Sequence, residues 1–146
     1  MSDFLDLFRK GIELSQAELH WEAIDCFKKI NELHPRDPIL DDVYLNIAIC
    51  YMHLNLCEEA KDWFMPVYEG KVGDGFFEDG GNNIGSTKAR AVLGLVRVNL
   101  FLKDFENANS LLRELENDNS GFRVGDTITT FYDVASEEVK VFTKVL

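Results

Sequence analysis

The sequence predicts an all-α fold, an α–α superhelix of about three helical hairpins closed by a C-terminal capping helix. A small-to-large spacing recurs at Ala23-x3-Phe27, Ala60-x3-Phe64 and Ala108-x3-Leu112. An amphipathic stretch of helical period lies upstream of each, with a short polar turn between the two. No segment reads convincingly as a strand. An alanine at each of these positions lets a neighbouring helix approach closely, and the large side chain one turn on fills the space beside it. A single hairpin cannot bury its apolar face, so the units must stack.

The elements follow in order. Ser2 or Asp3 can cap a first helix carrying Phe4, Leu5, Leu7, Phe8, Gly11, Ile12 and Leu14 at helical spacing. A turn near Glu18–His20 leads to a second helix from about Trp21 to Leu33, with Ala23, Ile24, Phe27, Ile30 and Leu33 as its buried stripe. Asp37-Pro38 signals a third helix, a capping carboxylate before a proline, running to about Leu54 with Tyr44, Ile47, Ala48 and Tyr51 on one face. Asn55 marks a turn, and Glu58 to about Met65 forms a fourth helix that Pro66 should kink or end. Residues 70–85 hold six glycines among acids and asparagines and read as a loop insertion, with Phe76-Phe77 as its apolar spot. Ser86 can cap a fifth helix from Thr87 to about Leu102, apolar nearly all round and therefore buried on more than one side. Asp104 caps a sixth helix with Phe105, Ala108, Leu111, Leu112 and Leu115. Asn117 to Gly125 reads as a second loop. Ile128, Phe131, Ala135, Val139, Phe142 and Val145 form the stripe of a capping helix at about 126–145.

Composition bounds the function. A chain of 146 residues can hold one domain with a real core, and 46% hydrophobic residues is ordinary for a globular protein. The formal net charge of −11 repels phosphate backbones and anionic bilayers, which argues against nucleic acid and membrane as partners. Basic or apolar protein segments remain, although an acidic surface also serves plain solubility. No apolar run approaches the roughly 18–20 residues of a membrane span. The start, Met-Ser-Asp-Phe-Leu-Asp, lacks the basic and apolar regions of a secretory signal. Cys26, Cys50 and Cys57 are odd in number and suit a reducing cytosol, so the expected location is cytoplasmic.

The alanines at 23, 60 and 108 lie 37 and then 48 residues apart. A tetratricopeptide unit has about 34 residues, and the larger excess falls mostly within the glycine-rich insertion. The chain resembles the tetratricopeptide repeat family over units of about 4–37, 41–74 and 89–122, which would make residues 1–146 a single domain. The first unit matches best, with Gly11 where the family has a small residue and Ala23, Phe27 and Pro35 at its A…F…P positions. The second matches at Tyr44, Ala48, Tyr51, Glu59, Ala60 and Phe64 but lacks the closing proline. The third keeps Phe105, Ala108 and Leu112, with Asn99 and Val96 departing from the pattern.

The resemblance implies a concave groove lined by the first helix of each unit. By position it takes Leu5, Phe8, Arg9 and Ile12, then Leu45, Asn46, Ile49, Met52 and His53, then Arg90, Leu93, Arg97, Leu100 and Phe101. The expected partner-binding residues are Phe8, Ile12, Leu45, Asn46, Ile49, Met52, Arg90, Leu93 and Arg97, which suit an amphipathic helix or an extended peptide. The same residues serve equally well as ordinary inter-helix core. Phe8, Ile12 and Gly94 stand where some relatives place the basic and amide groups of a carboxylate clamp, so that clamp is not expected. The resulting expectation is a non-catalytic adaptor for a protein or peptide. A dedicated chaperone, or the structural subunit of a homo-oligomer, is the alternative, and a homodimer through Leu5, Phe8 and Ile12 stays open.

Other chemistry finds little support. Cys50, His53 and Cys57 lack a fourth ligand for zinc, and Asp74–Asn83 lacks the alternating ligands of a calcium loop, so no cofactor or metal is expected. No phosphate-cradling, nucleophile-elbow or His-Glu-x-x-His motif occurs, and no nucleophile, base and orienter form a set.

Overall fold

The computed structural model describes residues 2–78 and 83–144. Expectations placed on the side chains of Ser2, Phe76 and Phe77, on residues 79–82, and on Val145 fall outside the described set. The chain is all-α in its main architecture, with consecutive helices packed as hairpins and a small antiparallel sheet added. It divides into two compact units, residues 1–74 and 75–146.

The first unit is built of α1 (Ser2–Gln16), α2 (His20–Leu33), α3 (Leu40–His53) and α4 (Cys57–Tyr68). Its core is Ala23, Ile24, Phe27 and Ile30 of α2, Leu40, Val43, Leu45, Ile47 and Ala48 of α3, and Ala60, Phe64 and Val67 of α4. Gly11 of α1 lies directly under the Phe27 ring, where an added Cβ would come within 2.5 Å of Phe27 Cε1. The small residue is thus a packing requirement. Leu33, expected in the buried stripe of α2, is 53% exposed, because the helix ends at that residue.

Two boundaries differ from expectation. Asp37 accepts from the Ile39 N–H at 3.0 Å, but the Asp37-Pro38-Ile39 segment forms a turn, and α3 begins only at Leu40. Pro66 does not end α4, since the helix continues to Tyr68. After α4, Gly70 adopts φ +72° and the Lys71 N–H reaches back to the Pro66 carbonyl at 2.9 Å, closing the helix with a left-handed cap. The chain then returns to the start of α3. The Asp74 N–H donates to the Pro38 carbonyl at 2.9 Å, and Gly73 (φ +73°) fits directly against the buried Asp41 carboxyl.

The second unit contains β1 (Phe76–Glu78), β2 (Asn83–Ser86), α5 (Thr87–Phe101), α6 (Phe105–Glu114), β3 (Gly121–Val124), β4 (Thr127–Thr130) and α7 (Phe131–Lys144). Ser86 and Asp104 cap α5 and α6 as expected, accepting from Ala89 N at 3.2 Å and Asn107 N at 3.2 Å. The four strands form one antiparallel sheet in the order β1-β2-β3-β4. This corrects the expectation of loops at 70–85 and 117–125 and of no strand. It also shortens the capping helix from about 126–145 to α7. Ser120 ties the sheet together: its hydroxyl accepts from the Ser86 N–H at 2.9 Å, and its carbonyl accepts from the Phe131 N–H at 2.9 Å. Gly85 (φ +114°) lies against the Ser120 side chain, so the glycine content of the insertion serves strand contact as well as turning. Phe131, Ala135 and Val139 of α7 are buried, and Phe131 stacks edge-on against Phe122 of β3 at 5.0 Å.

A single backbone device recurs in all three hairpins. Glu18, Asn55 and Lys103 are left-handed, with φ of 64°, 61° and 62°. The next N–H in each case bonds five residues back, Leu19 to Leu14 at 2.9 Å, Leu56 to Tyr51 at 2.9 Å and Asp104 to Asn99 at 2.8 Å. The following helix then starts with Ala23, Ala60 or Ala108 donating to the carbonyl of that same residue, each at 3.0 Å. All three alanines are fully buried.

Two stability measurements test this construction. Gly11→Ala should destabilise the first unit by about 1–3 kcal/mol through overpacking against Phe27, although alanine is the better helix former. Chemical denaturation of that variant should show the loss, and Phe27→Leu in the same chain should recover part of it. Lys103→Gly should gain up to about 1 kcal/mol, because a left-handed residue with a Cβ carries strain that glycine lacks. An unchanged or lower midpoint for Lys103→Gly would contradict the left-handed assignment.

Candidate protein-binding surface

The residues expected to meet a partner divide sharply once the helices are packed. On α1, Phe8 is half-buried and its ring is already engaged, 6.3 Å from Phe4 and 5.8 Å from Phe27. Ile12, one turn further, is half-buried, and Leu5 is 59% exposed. On α3, Leu45 is fully buried and belongs to the core. Asn46 is half-buried and its amide donates to the Asp42 carbonyl at 2.8 Å, so it serves its own helix. Ile49 and Met52 are half-buried and lie on neighbouring turns. The ends of α1 and α3 come together where the Cys50 thiol meets the Ser15 hydroxyl at 3.8 Å.

On α5 of the second unit, Leu93 is buried at 2% exposure and is core. Arg90 is half-buried and makes polar contacts of its own. Arg97 is held by Glu138 of α7 through Nε at 2.8 Å and Nη2 at 2.9 Å. Its two-pronged grip on one carboxylate links α5 to α7, supported by the Phe101–Phe142 ring pair at 5.5 Å. Of the nine expected residues, Ile12, Ile49 and Met52 are the half-buried apolar side chains with no ring contact or polar duty described for them, and Leu5 extends their row on α1.

A cluster not anticipated from sequence sits elsewhere on the first unit. Lys28 of α2 donates to the Tyr51 hydroxyl at 2.8 Å and lies over the Tyr51 and Trp63 rings at 5.4 and 5.5 Å. Trp63 packs against Tyr44 at 4.8 Å, and Trp21 against Tyr51 at 6.1 Å. The lysine thus joins α2, α3 and α4 through their aromatic side chains. His20 and His53 stack with planes 5° apart at 4.8 Å. His53 therefore faces another imidazole, while Cys50, one turn before it, points to Ser15. Among the described residues, no group of three His, Cys, Asp or Glu side chains could hold a metal ion. No described helix is long and apolar enough to cross a membrane.

Two thiols are shifted. Burial pushes the Cys50 thiol above its ordinary value, partly offset by the Ser15 hydroxyl. Cys57, at the start of α4, is also raised, first by burial and then by the negative charges of Glu58 and Glu59. Both shifts disfavour the thiolate, so neither cysteine is prepared as a nucleophile. No family model matches the chain, and neither a curated protein nor a solved structure matches it.

The raised Cys50 thiol makes stability depend on alkaline pH. The unfolded chain releases this proton near pH 8.5, before the folded chain does. The stabilisation is therefore complete at pH 7 and falls away as pH rises through that value and on to the higher folded one. Denaturation of the native chain and of Cys50→Ala between pH 7 and 10 should show a smaller alkaline loss in the variant. Alkylation of the native protein at pH 8 should spare Cys50 longest.

Proposed function

We propose that this protein is a non-catalytic binding module of the tetratricopeptide type, acting in the cytoplasm, that holds a helix or extended segment of a partner protein. The observation that carries the reading is the row of incompletely covered apolar side chains on the first helices of two successive hairpins, Leu5 and Ile12 on α1 and Ile49 and Met52 on α3. Such a row offers anchors one or two turns apart, the spacing at which an amphipathic helix presents its own apolar side chains. Methionine suits the role because its flexible thioether adapts to different surfaces.

Three further observations support the reading. The thrice-repeated left-handed turn and buried alanine are what an array of like hairpins requires. The raised thiols and the absence of catalytic motifs in the sequence leave no evident reaction for the chain to perform. A net charge of −11 would draw in a basic segment and repel an acidic one, which affects encounter rate more than final affinity. Orientation of the bound segment is assigned to polar groups of the rim. Asn46 and Arg97, both expected among the partner-binding residues, are poorly suited to that task, since each is committed to an internal partner.

The test uses substitutions that leave the core alone. Leu45→Asp is unsuitable because it would bury a charge. A photo-crosslinking residue placed at Ile49 or Met52 should trap a partner in cells, and one at exposed Glu32 on α2 should not. The double variant Ile49→Asp/Met52→Asp should then bind the trapped partner at least about tenfold more weakly, a loss of about 1.4 kcal/mol or more. Unchanged affinity in a variant with a native circular-dichroism melt would reject this surface.

A further inference from the structure

The sheet of the second unit ends in β4, which pairs with β3 alone. Thr127, Ile128 and Thr129 are exposed, Ile128 at 47%. The β3–β4 hairpin closes through the two-residue loop Gly125-Asp126, with Gly125 at φ +62° and the Thr127 hydroxyl donating to the Val124 carbonyl at 2.9 Å. In such a hairpin the residues flanking the loop exchange hydrogen bonds, and the direction alternates along the strand. The Phe131 N–H donating to Ser120 confirms the phase, with odd-numbered positions turned inward. Ile128 therefore turns its N–H and C=O outward, away from β3, and Thr130 turns its N–H outward, while the Thr130 carbonyl and hydroxyl open α7.

Sheet edges are commonly protected by lysine, proline, a bulge or a covering element. The sequence Thr-Ile-Thr-Thr of β4 contains neither lysine nor proline, and all four residues are β-branched. It is bracketed by two acids, Asp126 in the loop and Asp133 in the first turn of α7. Arg123 lies opposite Ile128 on β3, so a positive charge is unwelcome at the centre of an added strand.

We infer that β4 is a strand-addition site for an extended segment of a partner protein, with an uncharged, β-branched centre of about four residues flanked on both sides by lysine or arginine. The ends of such a segment meet Asp126 and Asp133, and its centre meets an uncharged edge. A second copy of this chain is the less suitable occupant. Antiparallel pairing of two β4 strands brings Asp126 of each copy toward Asp133 of the other, and adds two chains of net charge −11. The site shares no residue with the α1–α3 surface, so binding here persists in the Ile49→Asp/Met52→Asp variant whether or not that surface has a function.

The inference is tested by NMR titration of the full 15N-labelled chain with the blocked peptide Lys-Thr-Val-Thr-Val-Lys. Saturable shifts at Ile128 and Thr130, with slowed exchange of their N–H groups, are expected. Binding should weaken at least fivefold for Glu-Thr-Val-Thr-Val-Glu and for the Asp126→Asn/Asp133→Asn variant. Ile128→Pro removes an outward N–H without breaking the β3 ladder and should abolish the shifts. Should that variant fail to fold, an N-methylated peptide applies the same test from the other side and should not bind. Absence of shifts at 127–130 overturns the inference. So does equal binding of the N-methylated peptide, or a concentration dependence of the Ile128 and Thr130 resonances without peptide, which would assign the edge to a second copy.

Discussion

Three left-handed residues hold the hairpins in shape. At Glu18, Asn55 and Lys103 the backbone turns through a conformation that costs a residue with a Cβ roughly 1–2 kcal/mol. The cost is met by what the turn makes possible: one helix ends, the next begins two residues after the left-handed position, and its fourth residue is a buried alanine. Gly11 under the Phe27 ring shows how close that approach becomes. Because the turn fixes the start of the second helix, it also fixes which faces of the first helix remain uncovered. The candidate anchors Ile12, Ile49 and Met52 are a consequence of that geometry.

The same packing decides which polar groups are available for recognition. Arg97 is among the residues expected to meet a partner, and the carboxylate it meets is Glu138, 41 positions later on α7. Lys28 likewise has its cation settled among Tyr51 and Trp63. Half-buried pairs of this kind hold helices in register and contribute only modestly to stability. With these two cations engaged internally, the net charge of −11 would favour a partner with basic flanks at both proposed surfaces.

The candidate site was only partly legible in the sequence. Leu45 and Ile49, one turn apart on α3, carry the same chemical signature, yet Leu45 is core and Ile49 is not. On α5, which is buried along nearly its whole length, the sequence offers no polar face against which to judge Leu93. The β3–β4 hairpin did carry a signal. Val124-Gly125-Asp126-Thr127 is a two-residue turn between β-branched and aromatic runs. It was hidden because Ile128 stands three residues before Phe131 and so extends the helical stripe of α7 by one turn. The run of four β-branched residues opposes a helix there, since their side chains crowd the preceding turn.

What the sequence determined by itself is local. Helical period and the capping residues Ser86 and Asp104 follow from short-range sterics and hydrogen bonding, which act between neighbours in the chain. The tertiary structure alone decided that the glycine-rich insertion joins a sheet through Ser120, and that Leu45, Leu93 and Arg97 are consumed internally. Each of these depends on a group many positions away. Burial, strand pairing and ion pairing reward the contact only after the chain has closed on itself, so no window of sequence contains them.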